Sequence, residues 1–403
     1  MIVIVVKQYV GFPNGTAATS RVTAYARGLA AAGENVRVIL LGPSELDKAT
    51  AVNTEISGVY RGIPFEYTSV STIKSPSFLT RRWRVLSSLF AARRRILQMD
   101  AESGVDAILL YSGSISMGSF FSRVSRSVGA TYVLDLAEMP HHSMAPGAAR
   151  EAKQERHGRR SIRRFDLVVA ITRYLAEYAR PYLRPEADVI VLPIMVDCDE
   201  YEPDGPPRSD PRLIVYVGML NERKDGVETL MKAFSRIAAD FPNVSLRLVG
   251  DSDDARVSNV PAFRRTAEAL GTSDRVEFTG QVLRAEIPRH LRDASVLVLA
   301  RPSSQQAEAG FPTKLGEYLA SGRPVVVTRT SDIAEYLVDG DNAYLVQPDD
   351  ADALTAKLRE VLADPDSAAV GAAGRRVAEK RFDYRVTGRA LAEALARVRG
   401  GRS

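Results

Sequence analysis

The 403-residue sequence has one cysteine, Cys198, four histidines and one tryptophan. A single cysteine excludes an internal disulfide framework, and Cys198 reads as a small inert residue. No Cys-His or Ser-His-Asp arrangement and no metal-ligand spacing stands out, so neither a protein nucleophile nor a metal or other cofactor is expected. Long hydrophobic runs are missing as well. Met1 to Val6 is followed at once by Lys7, which makes a poor secretory leader and a good buried strand. No later stretch approaches the roughly 20 apolar residues needed to span a bilayer. The expected location is cytoplasmic, at the inner face of the membrane.

What is present suits two domains. A chain of this length exceeds one ordinary core, and 45% hydrophobic with 26% charged residues is a globular composition. The net charge is +5, of which residues 1 to 200 carry about +6 and the remainder about −1. Short Val, Ile and Leu runs alternate with helical patterns, the signature of parallel strands buried on both faces. Strands are expected at Met1 to Val6, Val36 to Leu41, Asp106 to Tyr111, Thr131 to Leu136, Asp166 to Ile171 and Asp188 to Leu192. Pro193 to Asp210, with Pro203, Gly205, Pro206 and Pro207, reads as a linker. The pattern restarts at Leu213 to Gly218, Val244 to Gly250, Arg275 to Gly280, Ser295 to Ala300, Pro324 to Thr328 and Ala343 to Val346. The fold class is α/β: two doubly wound parallel-sheet domains, expected to face each other with the active site in the cleft between them.

Three segments hold residues suited to chemistry. Gly11-Phe12-Pro13-Asn14-Gly15-Thr16 follows the first strand and opens a helix; glycines permit close approach and free amides favour an anion. A plain strand-to-helix turn has the same composition. In Gly218-Met219-Leu220-Asn221-Glu222-Arg223-Lys224-Asp225-Gly226, Lys224, with Arg223 beside it, is placed to neutralise charge on a departing diphosphate. A solvated charged turn is the bland alternative. The third segment runs from Gly310 to Val327. Its Pro312 suits a helix start, and the amides of Thr313, Lys314 and Leu315 are expected to be free for phosphate oxygens. Glu317, a turn further in, can accept both hydroxyls of a ribose diol.

From Leu213 to Pro348 these residues resemble the donor domain of the family-four retaining glycosyltransferases, the group 1 glycosyl transferases, whose GT-B architecture is two facing Rossmann-like domains. The likeness lies in Tyr216-Val217-Gly218 with Lys224, Leu248 to Asp251, Val276 to Gly280, Pro312 to Val327 and Asp339 to Asn342. In the first half it rests on the Gly11 to Gly15 loop, Leu29 to Val36, Asp135 to Pro140 and Asp166 to Thr172. The resemblance implies an acceptor-binding domain over 1–200, a nucleotide-sugar-binding domain over 201–380 and a last helix, 381–403, crossing back to the first domain. It puts the phosphate-binding lysine on Lys224, the ribose-binding glutamate on Glu317, the base near Gln281 and Val282, and the diphosphate on amides around Phe311 to Leu315, with Gly218 beside them and Gly15 opposite.

The family pattern is broken at three places. Met219 stands where an arginine is usual, so Arg223 is the candidate second cation. Ala309 replaces the first of two paired glutamates, so either Glu308 contacts the sugar hydroxyls or that contact is absent. Asp135-Leu136-Ala137-Glu138 lacks the usual histidine, which leaves Glu138 and His141, or His142, as acceptor-side candidates. The implied reaction is sugar transfer from a nucleotide sugar, uridine-linked by default, onto a glycan or lipid-linked acceptor. It proceeds with retention and without a metal, in glycan, polysaccharide or glycolipid biosynthesis. From Lys74 to Met99, seven basic residues interleave with Trp83, Leu86, Leu89, Phe90, Ile96 and Leu97, with no acid. That pattern fits a helix lying on an anionic membrane, or solvated arginines on a core helix, rather than a nucleic-acid surface. Two rival readings are a nucleotide-sugar epimerase of the same architecture and a non-catalytic donor-binding subunit. The oligomeric state is not legible.

Overall fold

The computed structural model describes residues 1–7, 10–111, 115–139, 152, 155–156, 158–203, 212–252 and 258–401. They form two compact units, Met1–Met195 with Tyr384–Ser403, and Val196–Asp383. The first unit holds β1 (Ile2–Val6), β2 (Val36–Leu40), β3 (Ser57–Tyr60), β4 (Ile63–Tyr67), β5 (Ala107–Tyr111), β6 (Thr131–Leu136), β7 (Leu167–Ala170) and β8 (Asp188–Val191). Their order across the sheet is β3-β4-β2-β1-β5-β6-β7-β8. All neighbours are parallel except the β3–β4 hairpin. The second unit holds β9 (Arg212–Val217), β10 (Val244–Val249), β11 (Val276–Gly280), β12 (Val296–Leu299), β13 (Val325–Thr328) and β14 (Tyr344–Val346), ordered β11-β10-β9-β12-β13-β14 and parallel throughout.

Each strand expected from the sequence is present, with no end displaced by more than one residue. The physical reason is burial on both faces: β1 has no exposed residue, and β6 and β7 are buried along their whole length. The β3–β4 hairpin was not expected. Its outer strand is exposed and β4 alternates, with Ile63, Phe65 and Tyr67 inward and Pro64 and Glu66 outward, so neither gives an apolar run. Arg61 and Gly62 at the turn both have positive φ, 50° and 80°, as tight hairpins require.

The linker expectation needs correcting. Ile194, Val196, Cys198 and Tyr201 are buried, and the Val196 amide donates to the Phe382 carbonyl at 2.8 Å. The chain is packed up to Tyr201; residues 204–211 lie outside the described residues. Burial, reinforced by Asp383, pushes the Cys198 thiol up, so it stays protonated and unreactive.

The helices that matter for the site are α1 (Ala17–Ala31), α2 (Phe78–Ser103) and α3 (Ile115–Ser127) in the first unit. In the second they are α4 (Glu222–Asp225), α5 (Val227–Ile237), α6 (Gln305–Ala309) and α7 (Thr313–Ala320). The C-terminal helix Tyr384–Gly400 lies in the first unit, where Leu391, Leu395 and Val398 share a core with Val22, Tyr25 and Leu29. A Cβ on Gly388 would come within 2.2 Å of the Gly28 carbonyl carbon, so two glycines set how closely that helix and α1 pack.

Candidate functional site

In the second unit, successive strands run outward from β9 in one direction and from β12 in the other. The carboxyl ends of β9 and β12 therefore flank a switch point, where an open parallel sheet leaves a crevice. The loop after β9 is held locally. The Asn221 side chain accepts the Lys224 amide at 3.2 Å. Glu222 accepts the Glu228 amide at 2.6 Å and the Thr229 hydroxyl at 2.8 Å, closing the start of α5. Gly226 takes φ +65°, and a Cβ there would sit 1.9 Å from the Ala300 carbonyl oxygen.

At the crevice stands a cluster that the sequence reading did not assemble. Lys314 Nζ lies 2.8 Å from Asp225 Oδ2 and 3.2 Å from the Tyr216 hydroxyl. That hydroxyl donates to the Met219 carbonyl at 2.6 Å and lies 2.9 Å from Asp225. Gly218 makes room for the lysine, since a Cβ there would fall 2.0 Å from Lys314 Cε. Arg301, 4% exposed, donates to the Gly310 carbonyl at 3.1 Å. Burial lowers the pKa of both cations, with Asp225 opposing the shift in each case. Lys224 adds a third positive charge, whose repulsion further lowers Lys314. Neither Lys224 nor the exposed Arg223 has a side-chain partner among the described residues. Three cations thus act on one hydrogen-bonded carboxylate, with Glu308 a second acid acting on Arg301. The excess of one sign at this partly buried site is costly unless a ligand of opposite sign completes it.

The start of α7 adds main-chain donors. No side chain caps it and its first turn has no acid, so the amides of Thr313 and Lys314 stay open and the helix dipole favours an anion. The expectation for Leu315 is corrected: its amide donates to the Pro312 carbonyl at 3.0 Å, because the first turn tightens. Phe311 is buried, edge-on to Tyr336 and Phe382, which restricts it to a main-chain role.

Glu317 is half-buried, and its carboxylate accepts Arg284 Nη2 at 3.1 Å. The same nitrogen donates to the Tyr201 hydroxyl at 3.2 Å. Arg284 belongs to the loop of Gln281 and Val282, so one ion pair ties the expected base and ribose elements together. Gln281 is exposed and donates to the Ser252 carbonyl at 3.2 Å, while Val282 is half-buried. On α6, Ala309 is buried and Glu308 is exposed, accepting the Ser331 amide at 3.2 Å. Adjacent helical positions point about 100° apart, so Glu308 does not occupy the direction of position 309.

In the first unit the switch point lies between β1 and β5. The Gly11–Thr16 loop is braced there. The Phe12 amide donates to the Tyr67 hydroxyl at 2.9 Å, and Asn53 exchanges two hydrogen bonds with the Asn14 main chain at 2.9 and 2.8 Å. Gly15 is exposed, and a Cβ there would meet Thr19 Oγ1 at 2.1 Å and the Gly11 carbonyl at 2.6 Å. α1 begins next to it with no side-chain cap. Behind the loop, Arg21 and Asp135 form a buried pair at 2.9 Å, joined by the Tyr25 hydroxyl at 2.6 Å and the Pro193 carbonyl at 3.0 Å. Burial pushes Tyr25 and Tyr111 up, so both remain neutral donors. This network anchors the end of β6, beyond which Glu138 is exposed; His141 and His142 lie outside the described residues.

Residues 211–364 match the family of glycosyl transferases group 1, and residues 16–194 match the glycosyl transferase 4-like domain. The chain belongs to the group 1 glycosyl transferases. A GDP-mannose-dependent alpha-(1-6)-phosphatidylinositol monomannoside mannosyltransferase of Mycolicibacterium smegmatis is 30% identical over 250 residues, 59% of this chain and 64% of the relative. An MMP alpha-(1->4)-mannosyltransferase of Mycolicibacterium hassiacum is 32% identical over 215 residues, 52% of this chain and 49% of the relative. The match spans less than two thirds of either relative's length. Among solved structures, sucrose-phosphate synthase from Thermosynechococcus elongatus superposes with a TM-score of 0.75 at 19% identity, covering 100% of both chains. Anabaena HepE in complex with UDP gives 0.71 at 20%, covering 98% of this chain and 100% of that one. These likenesses give this glycosyl transferase the GT-B fold class, two parallel-sheet α/β domains. Among the described residues no helix is long and apolar enough to cross a membrane.

Proposed function

We propose that this glycosyl transferase moves a sugar from a nucleoside-diphosphate donor onto a glycolipid acceptor. The observation that carries the reading is the excess of positive charge around Asp225, beside the uncapped start of α7. The diphosphate lies against the amides of Thr313 and Lys314, with the ammonium groups of Lys314 and Lys224 and the Arg301 guanidinium around it. As the bond from the anomeric carbon to phosphate oxygen breaks, charge grows on the leaving group, and fixed cations in a poorly hydrated pocket favour that state. The acceptor hydroxyl attacks from the same face and its proton passes to the leaving phosphate, which retains the configuration. No protein nucleophile or metal is required. Glu317 turns from Arg284 to the ribose diol, and Gln281 and Val282 border the base.

The names of the relatives favour a GDP-mannose donor over the uridine default, and a phosphatidylinositol-type acceptor. A membrane-bound acceptor is also supported by α2, where Leu79, Trp83, Leu86 and Phe90 form an exposed apolar row. Exposed Arg82, Arg93 and Arg94 flank it, whereas Arg95 is paired with Glu66 at 2.9 Å. Such a face suits the surface of an anionic bilayer.

The test is incubation with GDP-mannose, UDP-glucose and UDP-galactose, with and without phosphatidylinositol vesicles. Transfer to lipid with release of GDP is the expected result. Interconversion of the sugars would indicate an isomerase and binding without turnover a donor-binding subunit; failure to bind any of the donors would overturn the reading.

A further inference from the structure

A second concentration of positive charge lies wholly within the first unit. A cavity of about 710 Å³ is lined by Arg126, Arg159, Arg160, Arg163, Arg164 and Arg184. Arg126 ends α3, Arg159 to Arg164 precede β7, and Arg184 precedes β8. The cavity therefore sits at the amino ends of β6, β7 and β8. The Gly11–Thr16 loop and Glu138 leave the sheet at the carboxyl ends, roughly 20 Å away across strands that rise about 3.3 Å per residue.

Of the six arginines, Arg126, Arg160, Arg163 and Arg164 have no acidic partner among the described residues. Arg126 Nε donates to the Ser122 carbonyl at 3.1 Å and Arg164 Nε to the Arg160 carbonyl at 2.6 Å. Both guanidinium groups keep their Nη donors without a partner among the described residues. Asp166 is the one acid lining the cavity among the described residues; it is already taken by Arg184 and by the Tyr132 amide at 2.7 Å. Arg159 pairs with Glu155 at 2.7 Å, whereas Arg160 and Arg163 have no acidic partner among the described residues. Guanidinium groups gathered around one cavity repel one another. A polyanion reverses that penalty, and guanidinium forks match phosphate oxygens two at a time.

We infer that this cavity is an anion site for a ligand bearing more than one phosphate, separate from the donor site and independent of the function proposed for it. Its ligand is either a soluble polyphosphate ester or a phosphorylated lipid headgroup. Tripolyphosphate binding is to be measured by calorimetry on the full chain, on Arg160→Gln/Arg163→Gln and on Lys314→Gln. Both arginines of the double variant are exposed, so the fold is retained. The full chain is expected to bind at two sites. The double variant should lose one of them, with at least a tenfold weaker Kd, and keep the one that Lys314→Gln weakens. Unchanged stoichiometry and affinity in the double variant would overturn the inference. Sedimentation with phosphatidylcholine vesicles, with and without phosphatidylinositol 4-phosphate, separates the sources. Capture that the double variant loses identifies a headgroup, and tripolyphosphate binding without capture identifies a soluble ligand.

Discussion

Arg21 with Asp135 in the first unit and Lys314 with Asp225 in the second are both ion pairs behind a loop at a switch point, the first buried at both ends and the second with its lysine half-buried, and they differ in balance. Arg21 meets one carboxylate, one tyrosine hydroxyl and one carbonyl, which leaves the pair closed. Asp225 meets Lys314 with Arg301 and Lys224 close by, and the sum is positive. A balanced pair inside a fold is architecture. An unbalanced one invites a ligand.

The sharpest way to break this contrast is Asp135→Ala. It strands the Arg21 charge and should cost about 3–5 kcal/mol in urea unfolding, while nucleotide binding persists at low denaturant. A cost near zero would show that the pair is not closed. Lys314→Gln should act in the opposite sense. Losing a charge-assisted contact worth about 1.5–3 kcal/mol weakens nucleoside-diphosphate binding roughly ten- to a hundredfold in calorimetry, with a smaller change in unfolding midpoint. Lys224→Ala should lower kcat more than donor affinity, because its charge matters most as the leaving group departs. Equal kinetics would remove that role. Glu317→Gln sharpens the division of labour: affinity for the nucleotide should drop about tenfold, the scale of one good hydrogen bond, while pyrophosphate affinity holds.

The smallest effect is one of pH. Burial holds the Lys314 pKa below the usual lysine value near 10.4, and only the ammonium form attracts phosphate. Nucleotide affinity should therefore fall as pH rises through that lowered value, and Lys314→Arg should abolish the fall. Over the same window the unfolded chain keeps its proton longer, so this residue's contribution makes folding more favourable with rising pH. A flat affinity profile in the parent chain would argue against contact between Lys314 and the anion.

The strands were readable because β1, β7 and Leu213 to Val217 of β9 are doubly buried and leave unbroken apolar runs, and β6 is buried throughout with Asp135 as its one charge. The β3–β4 hairpin was not, since its outer strand faces solvent and β4 alternates. Gly15, Gly218 and Glu317 were singled out from glycine placement and spacing from a helix start. Tyr216, Asp225, Arg284 and Arg301 were not, although Arg301 stands two residues past the end of a buried strand and could have been noticed for that. Lys314 was named for its amide, while its ammonium proved to be the partner of the buried Asp225. Side-chain direction at a loop or first helical turn depends on neighbours distant in sequence, here Gly218 and Asp225.

Periodicity, glycine and proline placement and the order of short motifs determined the two parallel sheets and the family, because each acts on local backbone conformation or on one strand's burial. Tertiary structure alone decided which charges cancel. Lys314 is 89 residues from Asp225, and Arg21 is 114 from Asp135. Electrostatic balance depends on separation through space, which the linear chain does not record.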